Sequence, residues 1–166
     1  MAQITLKGNA CNTSGNLPAV GAAAPDFKLV AGDLSEKSLQ DFSGKQVVIS
    51  ILPSLDTPVC ATSAKTFNER AGQLGNAVVV NVSKDLPFAQ KRFCESNQVD
   101  HVSNLSAFRC SQFGDDYGVG IVDGPLKGLL ARAIVVVNAD GKVAYTELVP
   151  EIAQEPNYDA ALAALQ

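Results

Sequence analysis

The stretch QVVISILPSLDTPVCATSAKTFNER, residues 46–70, decides how the chain is expected to fold. Residues 46–52 form a continuous apolar run rich in β-branched side chains, which is typical of a buried strand. Pro53 ends this strand, because proline has no N–H to donate to a neighbouring strand. A helix is predicted to begin near Pro58, since Thr57 is a suitable N-cap and proline fits the first helical position.

The remaining sequence alternates strand and helix patterns around this unit. Such an order, ending in a hairpin, indicates an α/β sheet with mixed strand directions. It is compatible with a thioredoxin-like core that carries an N-terminal extension, although periodicity alone does not prove that topology. The other predicted elements are a hairpin at 4–13 with its turn at Gly8-Asn9, a short strand near 27–30, a strand at 77–83, a helix at 86–97 that begins near Pro87, a hairpin of strands 133–137 and 142–149, and a helix at 157–166.

Length and composition exclude several classes of function. The 166 residues suit one domain, and a hydrophobic content of 46% is ample for a core. The formal net charge of −4 and the pI of about 4.9 argue against nucleic acid or an anionic membrane as a partner, since both select basic surfaces. The sequence shows no signal-peptide pattern and no apolar run approaching the roughly 18 residues of a membrane span, so a cytoplasmic protein is expected.

The four cysteines, Cys11, Cys60, Cys94 and Cys110, are best suited to redox or nucleophilic chemistry. A chain of this length without a signal peptide is not expected to carry a structural disulfide framework. No two cysteines have C-x-x-C spacing and His101 is the single histidine, so a zinc site is not expected either.

Cys60 falls in the first turn of the helix that follows the strand. Backbone N–H groups without partners point out of that end of a helix, and the helix dipole is positive there. Both favour a thiolate, which is the nucleophilic form of cysteine. The alternative is a buried, inert thiol that packs as a small hydrophobic side chain. The local pattern favours the reactive thiol.

The segment PSLDTPVC, residues 53–60, has the pattern P-x-x-x-T-x-x-C and resembles the active-site signature of the peroxiredoxins. Further segments narrow the resemblance to the bacterial thiol peroxidases, the atypical two-cysteine branch of that family, and the likeness covers nearly the whole chain. Those segments are LVAGDLSEKSL (29–39), SKDLPFAQKRFC (83–94), YGVGIVDGPLKGLLARAIVVV (117–137) and EPNYDAALAAL (155–165).

The resemblance implies a role for five residues. Cys60 matches the peroxidatic cysteine, Thr57 and Pro53 match the motif threonine and proline, Arg132 matches the active-site arginine, and Cys94 matches the resolving cysteine of the same chain. The implied fold is a thioredoxin-like α/β fold with a mixed central sheet flanked by helices and an N-terminal β-hairpin extension, in one peroxiredoxin domain over residues 1–166. The family is usually homodimeric and reduced by thioredoxin, and it uses no metal, haem or flavin.

The reaction itself explains why such residues are useful. A thiolate attacks one peroxide oxygen while the other oxygen leaves, so negative charge grows along the S–O–O line. A fixed cation at Arg132, with donors at Thr57 and the Cys60 N–H, stabilises that charge. The product is a sulfenic acid, which Cys94 converts to a disulfide before further oxidation. Cys60 and Cys94 are predicted on different helices, so local unwinding is expected before the disulfide forms.

The residues alone leave several alternatives open. Without the resemblance, Cys11 and Cys110 are as available as Cys94 to resolve the sulfenic acid, and Arg132 is best interpreted as a surface arginine before a strand. Cys11 and Cys110 are otherwise spare thiols, with Cys11 expected to be exposed in the hairpin.

Rival functions are also open. The protein is either a peroxidase or a peroxide-sensing redox relay that passes its disulfide to a partner protein. A thiol–disulfide oxidoreductase is disfavoured because the sequence at Cys60 is CATS, and a non-catalytic binding module is the remaining alternative. Leu86, Phe88 and Phe93 are interpreted as core residues, with a mouth for alkyl hydroperoxides as their alternative role.

Overall fold

A seven-stranded mixed sheet organises the chain in the computed structural model, which describes residues 1–165. The elements are β1 (Gln3–Leu6), β2 (Asn9–Asn12), β3 (Lys28–Ala31), β4 (Glu36–Ser38), a 3₁₀-helix (Leu39–Phe42), β5 (Gln46–Ile51), α1 (Pro58–Ala71), β6 (Ala77–Ser83), α2 (Pro87–Asn97), β7 (Ser103–Ser106), α3 (Ser111–Asp116), β8 (Ala133–Val137), β9 (Val143–Leu148) and α4 (Tyr158–Ala163). The main sheet has the order β4-β3-β7-β6-β5-β8-β9, and β1 and β2 form a separate hairpin. The predicted mixed α/β sheet with an N-terminal hairpin is therefore confirmed.

Strands β5, β6 and β7 are parallel and lie at the centre of the sheet. Helix α1 connects β5 to β6 and helix α2 connects β6 to β7, as parallel neighbours require. Strand β8 returns antiparallel along β5, and β3 and β9 add further antiparallel pairs. Every residue of β5 and β8 is buried, which explains why both are predominantly apolar; β8 is wholly apolar, and β5 is interrupted only by Gln46 and Ser50.

Alternate residues of the strands face two different cores. On one face, Val47 and Ile49 pack in the cluster that contains Phe113 and the hairpin residue Ile4. On the other face, Val48 packs with Phe67 of α1, whose ring meets that of Tyr158 edge to face at 5.0 Å. The hairpin and the helix α1 thus cover opposite faces of one sheet. No helix within residues 1–165 is long and apolar enough to cross a membrane.

Several local expectations were wrong. The first hairpin turns at Lys7-Gly8, where φ is +51° and +82°, and not at Gly8-Asn9. Leu86 and Phe88 are exposed, at 51% and 66%, while Phe93 alone of the three is buried. The sequence pattern also missed β4, β7, α3 and the 3₁₀-helix, which are short and partly polar, so their apolar periodicity is too weak to detect.

Gly118 gives a test of the packing between the N-terminal segment and the turn after α3. Its φ is +67°, and a Cβ added there would lie 2.1 Å from the carbonyl oxygen of Asn16. We expect Gly118→Ala to lower the free energy of unfolding by about 3 kcal/mol or more, because backbone strain and a clash with main chain add together. Gly141→Ala is the control, since its φ is +81° but no atom lies within 4 Å; about 1 kcal/mol is expected there. Equal losses in denaturant titrations would contradict the packing.

Candidate active site

The loop between β5 and α1 places Cys60 beyond the carboxyl end of the central strand β5. Thr57 occupies the N-cap position with an extended backbone, and Pro58 is the first helical residue, as the sequence predicted. Cys60 is the third residue of α1 and is fully buried. Its sulfur therefore lies at the positive end of a 14-residue helix and out of contact with bulk water.

Arg132 is the polar side chain that meets this sulfur. Strand β8 pairs antiparallel with β5, so that Ala133 lies opposite Ile51 and Arg132 enters just beyond the end of β5. Its Nη2 donates to the Cys60 Sγ over 3.1 Å, and its Nε donates to the carbonyl oxygen of Ile152 over 3.0 Å. Arg132 is 2% exposed, so the interpretation as a surface arginine was wrong. The pairing of two strands brings together residues that are 72 positions apart.

Within residues 1–165, no carboxylate forms an ion pair with Arg132. Its Nη1 is buried without a hydrogen-bond partner in that part of the chain. A buried guanidinium without a counter-charge is expensive in free energy. The polar side-chain atom beside the guanidinium is the Cys60 Sγ, and the Nη1 without a partner is available to a ligand.

Thr57 and Pro53 lie on the loop in front of the sulfur. The Thr57 hydroxyl donates to the carbonyl oxygen of Ser54 over 2.8 Å, so its proton is already committed. Its oxygen is left as an acceptor at an exposed position, which differs from the expected role as a donor. Pro53 is buried and borders the cavity described below.

Asp85, just after the neighbouring strand β6, binds the loop between β5 and α1. It lies two residues after β6, and its Oδ1 accepts a hydrogen bond of 2.7 Å from the Ser54 hydroxyl. Its Oδ2 accepts from the Leu55 N–H and from the Ser83 hydroxyl, each over 2.8 Å. Three donors on one carboxylate fix the loop relative to the sheet. Sequence reasoning missed Asp85, because an acid after a strand has no distinctive pattern.

A cavity of about 300 Å³ opens in front of Arg132. Its walls are mostly apolar and come from four separate parts of the chain, namely Leu6 and Lys7 of the hairpin turn, residues 53 and 57–59, Leu126 and Leu129, and Ile152 and Ala153. The apolar walls are therefore not formed by Leu86 or Phe88, contrary to the alternative role considered for them. A small molecule in this cavity would meet apolar side chains and the guanidinium of Arg132.

Glu151 fixes the hairpin against the segment that holds Arg132. Its carboxylate accepts hydrogen bonds from the Thr5 hydroxyl (2.7 Å), the Lys7 N–H (2.9 Å) and the Gly8 N–H (3.1 Å). These bonds lower the pKa of Glu151 to about 2. The bonds from the Lys7 and Gly8 N–H groups also hold the turn in which Lys7 has a positive φ. The next residue, Ile152, provides the carbonyl that positions Arg132.

Cys94 lies on α2 and is half-buried. The Asn104 amide donates to its sulfur over 2.9 Å. Burial and the nearby Glu95 raise the pKa of the Cys94 thiol. Cys94 borders the same small apolar cluster that contains Cys60.

All four cysteines are free thiols. Cys11 is buried in the core, not exposed in the hairpin as expected. Burial raises the pKa of the Cys11 thiol, and the carboxylates of Asp123 and Glu151 raise it further. Cys110 is half-buried at the start of α3.

Comparison with known proteins assigns the family. The sequence matches the family described as Redoxin over residues 19–162. The chain belongs to the redoxin family. It is 67% identical over 165 residues to a thiol peroxidase of Mycobacterium tuberculosis, and 53% identical over 165 residues to one of Corynebacterium glutamicum, with 99% of each chain covered in both comparisons. It is an enzyme of the thiol peroxidase, or peroxiredoxin, type.

The fold agrees with that membership. A crystal structure of a peroxiredoxin-like protein from Aquifex aeolicus superimposes with a TM-score of 0.92 at 45% identity, covering 99% of this chain and 96% of the other. The thioredoxin-like fold predicted from the sequence is therefore confirmed. In this redoxin the hairpin and the segment around Ile152 both border the cavity in front of Arg132.

The hydrogen bonds of Glu151 predict an acid-sensitive contribution to stability. Because the folded-state pKa is about 2 and the ordinary value is 4.5, this contribution is present above pH 4.5 and is lost as the pH falls towards 2. We expect Glu151→Gln to lower the melting temperature at pH 7 and to flatten its fall between pH 4.5 and 2. Glu69→Gln, at an exposed position of α1, is the control. A Glu151→Gln curve parallel to wild type over that range would contradict the assignment.

Proposed function

We propose that the enzyme reduces hydrogen peroxide and alkyl hydroperoxides through a sulfenic acid on Cys60, which Cys94 of the same chain resolves as an intramolecular disulfide and thioredoxin then reduces. The observation that carries this proposal is the 3.1 Å contact between the Arg132 Nη2 and the Cys60 Sγ, at a buried position beside an open cavity. A thiolate paired with a fixed cation is the arrangement that a peroxide-reducing cysteine requires.

In the first step, the Cys60 thiolate attacks the terminal oxygen of ROOH. The S–O bond forms as the O–O bond breaks, and the departing RO⁻ takes up a proton to give ROH. Negative charge moves from the sulfur towards the leaving oxygen. Arg132 is suited to stabilise this charge at both ends, since its Nη2 contacts the sulfur and its Nη1 is free to donate to a peroxide oxygen. The Thr57 oxygen is free to accept the peroxide O–H.

In the second step, the Cys94 thiol attacks the sulfur of the Cys60 sulfenic acid. An S–S bond forms, the S–OH bond breaks, and the hydroxyl leaves as water with the thiol proton. The two cysteines border one apolar cluster on different helices, so we retain the expectation that part of α1 or α2 unwinds before the bond forms. A dithiol reductant then restores both thiols by thiol–disulfide exchange.

The substrate and the reductant rest on different arguments. The apolar walls of the cavity, formed by Leu6, Leu126, Leu129 and Ile152, support alkyl hydroperoxides as substrates. Thioredoxin as the reductant and a homodimer rest on the family resemblance, and the cytoplasmic location stays a prediction from the sequence.

Replacing the two cysteines separates the two steps. With thioredoxin, its reductase and NADPH, we expect Cys60→Ser to lose peroxide consumption, because the nucleophile is gone. Cys94→Ser is expected to form one equivalent of sulfenic acid and then stop. Cys110→Ser is the control and should turn over normally.

Two results would overturn these assignments. Full turnover by Cys60→Ser would remove the nucleophile from the proposal. Turnover of wild type with dithiothreitol but not with thioredoxin would favour the rival relay function, in which another protein accepts the disulfide.

Arg132 is expected to act mainly on the first step. We expect Arg132→Met to lower kcat/KM for cumene hydroperoxide by about 10²- to 10³-fold, the usual loss for one transition-state donor. Arg132→Lys should lose less, because the charge is kept but one ammonium cannot reproduce the rigid fork that contacts both the sulfur and the Ile152 carbonyl. Arg70→Met, which removes an exposed arginine paired with Asp159, is the control. A change of less than two-fold in Arg132→Met, with the fold intact by thermal unfolding, would refute this role.

A further inference from the structure

A row of polar side chains crosses the middle of the apolar sheet. Ser50 on β5, Asn81 on β6 and Asn104 on β7 are directly paired across the parallel strands. Ser50 and Asn81 are buried, at 2% and 1% exposure. Asn81 interrupts a run of valines, where another valine would avoid burying an amide. None of these three residues lines the cavity in front of Arg132.

The row ends at Cys94. The Asn81 Nδ2 donates to the Asn104 Oδ1 over 3.2 Å, which turns the other end of that amide outwards. The Asn104 Nδ2 then donates to the Cys94 Sγ over 2.9 Å. The Asn81 Oδ1 is left without a partner among the described residues. Asn81 therefore fixes the orientation of Asn104, and Asn104 fixes the sulfur.

The partners of the two sulfurs lie far apart on the sheet. Asn104 belongs to β7, whereas Arg132 directly precedes β8, and the order β7-β6-β5-β8 separates those strands by three positions. At the usual spacing this is about 14 Å. A disulfide joins its sulfurs at about 2 Å. Because each sulfur is held by a residue of a different strand, we expect at least one of them to leave its partner before the bond forms.

We propose that Asn104 is a positioning residue for the resolving cysteine: oriented by Asn81, its amide holds Cys94 in its docked place on α2 and so slows formation of the Cys60–Cys94 disulfide. This inference rests on the proposed function. The contact between Asn104 and Cys94 exists only while Cys94 is docked on α2. It therefore stabilises the docked protein and not the locally unwound form from which the disulfide is made. A slower second step leaves the sulfenic acid exposed to a second ROOH, which oxidises it to sulfinic acid and is itself reduced to ROH.

The test compares the two steps in a single turnover of the full-length protein. The chain has no tryptophan, so the two steps are not followed by tryptophan fluorescence. Reduced protein is instead mixed with one equivalent of hydrogen peroxide, quenched with acid, alkylated and analysed by mass spectrometry. We expect Asn104→Leu to leave the rate of Cys60 oxidation unchanged and to form the disulfide about five-fold faster. Five-fold corresponds to about 1 kcal/mol at 1.4 kcal/mol per tenfold, which is typical of one hydrogen bond. At excess peroxide the sulfinic fraction should fall.

Two further variants keep the test interpretable. Asn104→Leu leaves the Asn81 amide buried without a partner and risks a poorly folded protein, so Asn81→Val/Asn104→Leu removes the pair together. The same acceleration is expected there. Asn97→Ala is the control, because its amide donates to the Phe93 carbonyl on the same helix and not to a sulfur. A second step that is unchanged or slower in both Asn104 variants, or equally accelerated in Asn97→Ala, would overturn the proposal.

A second readout does not depend on turnover. In a Cys60→Ser background, the alkylation rate of Cys94 is measured from pH 6 to 10.5 by peptide mass spectrometry. Among the described residues, Glu95, Lys91 and Asp100 are charged groups near Cys94, and they are the same in every variant. The limiting rate of the ionised thiol, fitted to that pH profile, reports access alone. We expect this limiting rate to rise about five-fold in Asn104→Leu, and an unchanged limiting rate would overturn the proposal.

The two readouts separate the failure of this inference from the failure of the proposed function. If Cys94→Ser stops turnover while Asn104→Leu moves neither readout, the positioning role alone is wrong. If Cys94→Ser turns over normally, Cys94 is not the resolving cysteine, and the proposal for Asn104 is overturned with it.

Discussion

The contact between the buried guanidinium of Arg132 and the sulfur of Cys60 is the constraint on which the rest of the structure depends. A charge in an apolar interior needs both a counter-charge and a rigid hold. In the proposed mechanism the Cys60 thiolate supplies the counter-charge at 3.1 Å, and the hold comes from β8 and from the Ile152 carbonyl. Glu151 ties that carbonyl's segment to the first hairpin. The hairpin, an N-terminal extension in sequence, is therefore part of the support of the site.

The two sulfurs are held in different ways, and the difference suits the two steps of the proposed reaction. Cys60 is fully buried beside a fixed cation, and Asp85 fixes the loop before it through Ser54 and Leu55. Such preorganisation favours a step in which charge develops along one line. Cys94 is only half-buried and has one neutral donor, the Asn104 amide. If Cys94 moves to react, a single neutral hydrogen bond costs less free energy to break than an ion pair would.

The sequence predicted the parts of this arrangement that depend on local pattern. Apolar runs located β5, β6 and β8, and the Thr57-Pro58 pair located the start of α1. The burial of Arg132 was not predictable in this way, because it follows from the pairing of β8 with β5 and not from its neighbours in sequence. The same holds for Asp85 and Glu151. One signal was present and overlooked: Asn81 within AVVVNVS is an amide where an apolar residue is expected.

Motif residues and supporting residues therefore carry different information. The stretch from Pro53 to Cys60, together with Arg132, carries the resemblance from which the class of reaction is proposed. Asn81 and Asn104 lie outside the motif, yet they contact the second sulfur directly or through one amide. A free-energy difference of about 1.4 kcal/mol in such a contact changes an equilibrium tenfold. In the proposed mechanism, two enzymes with the same motif can thus share one reaction and still differ in how long the sulfenic acid survives. Buried polar side chains such as Asn81 and Asn104 would then set the balance between turnover and overoxidation.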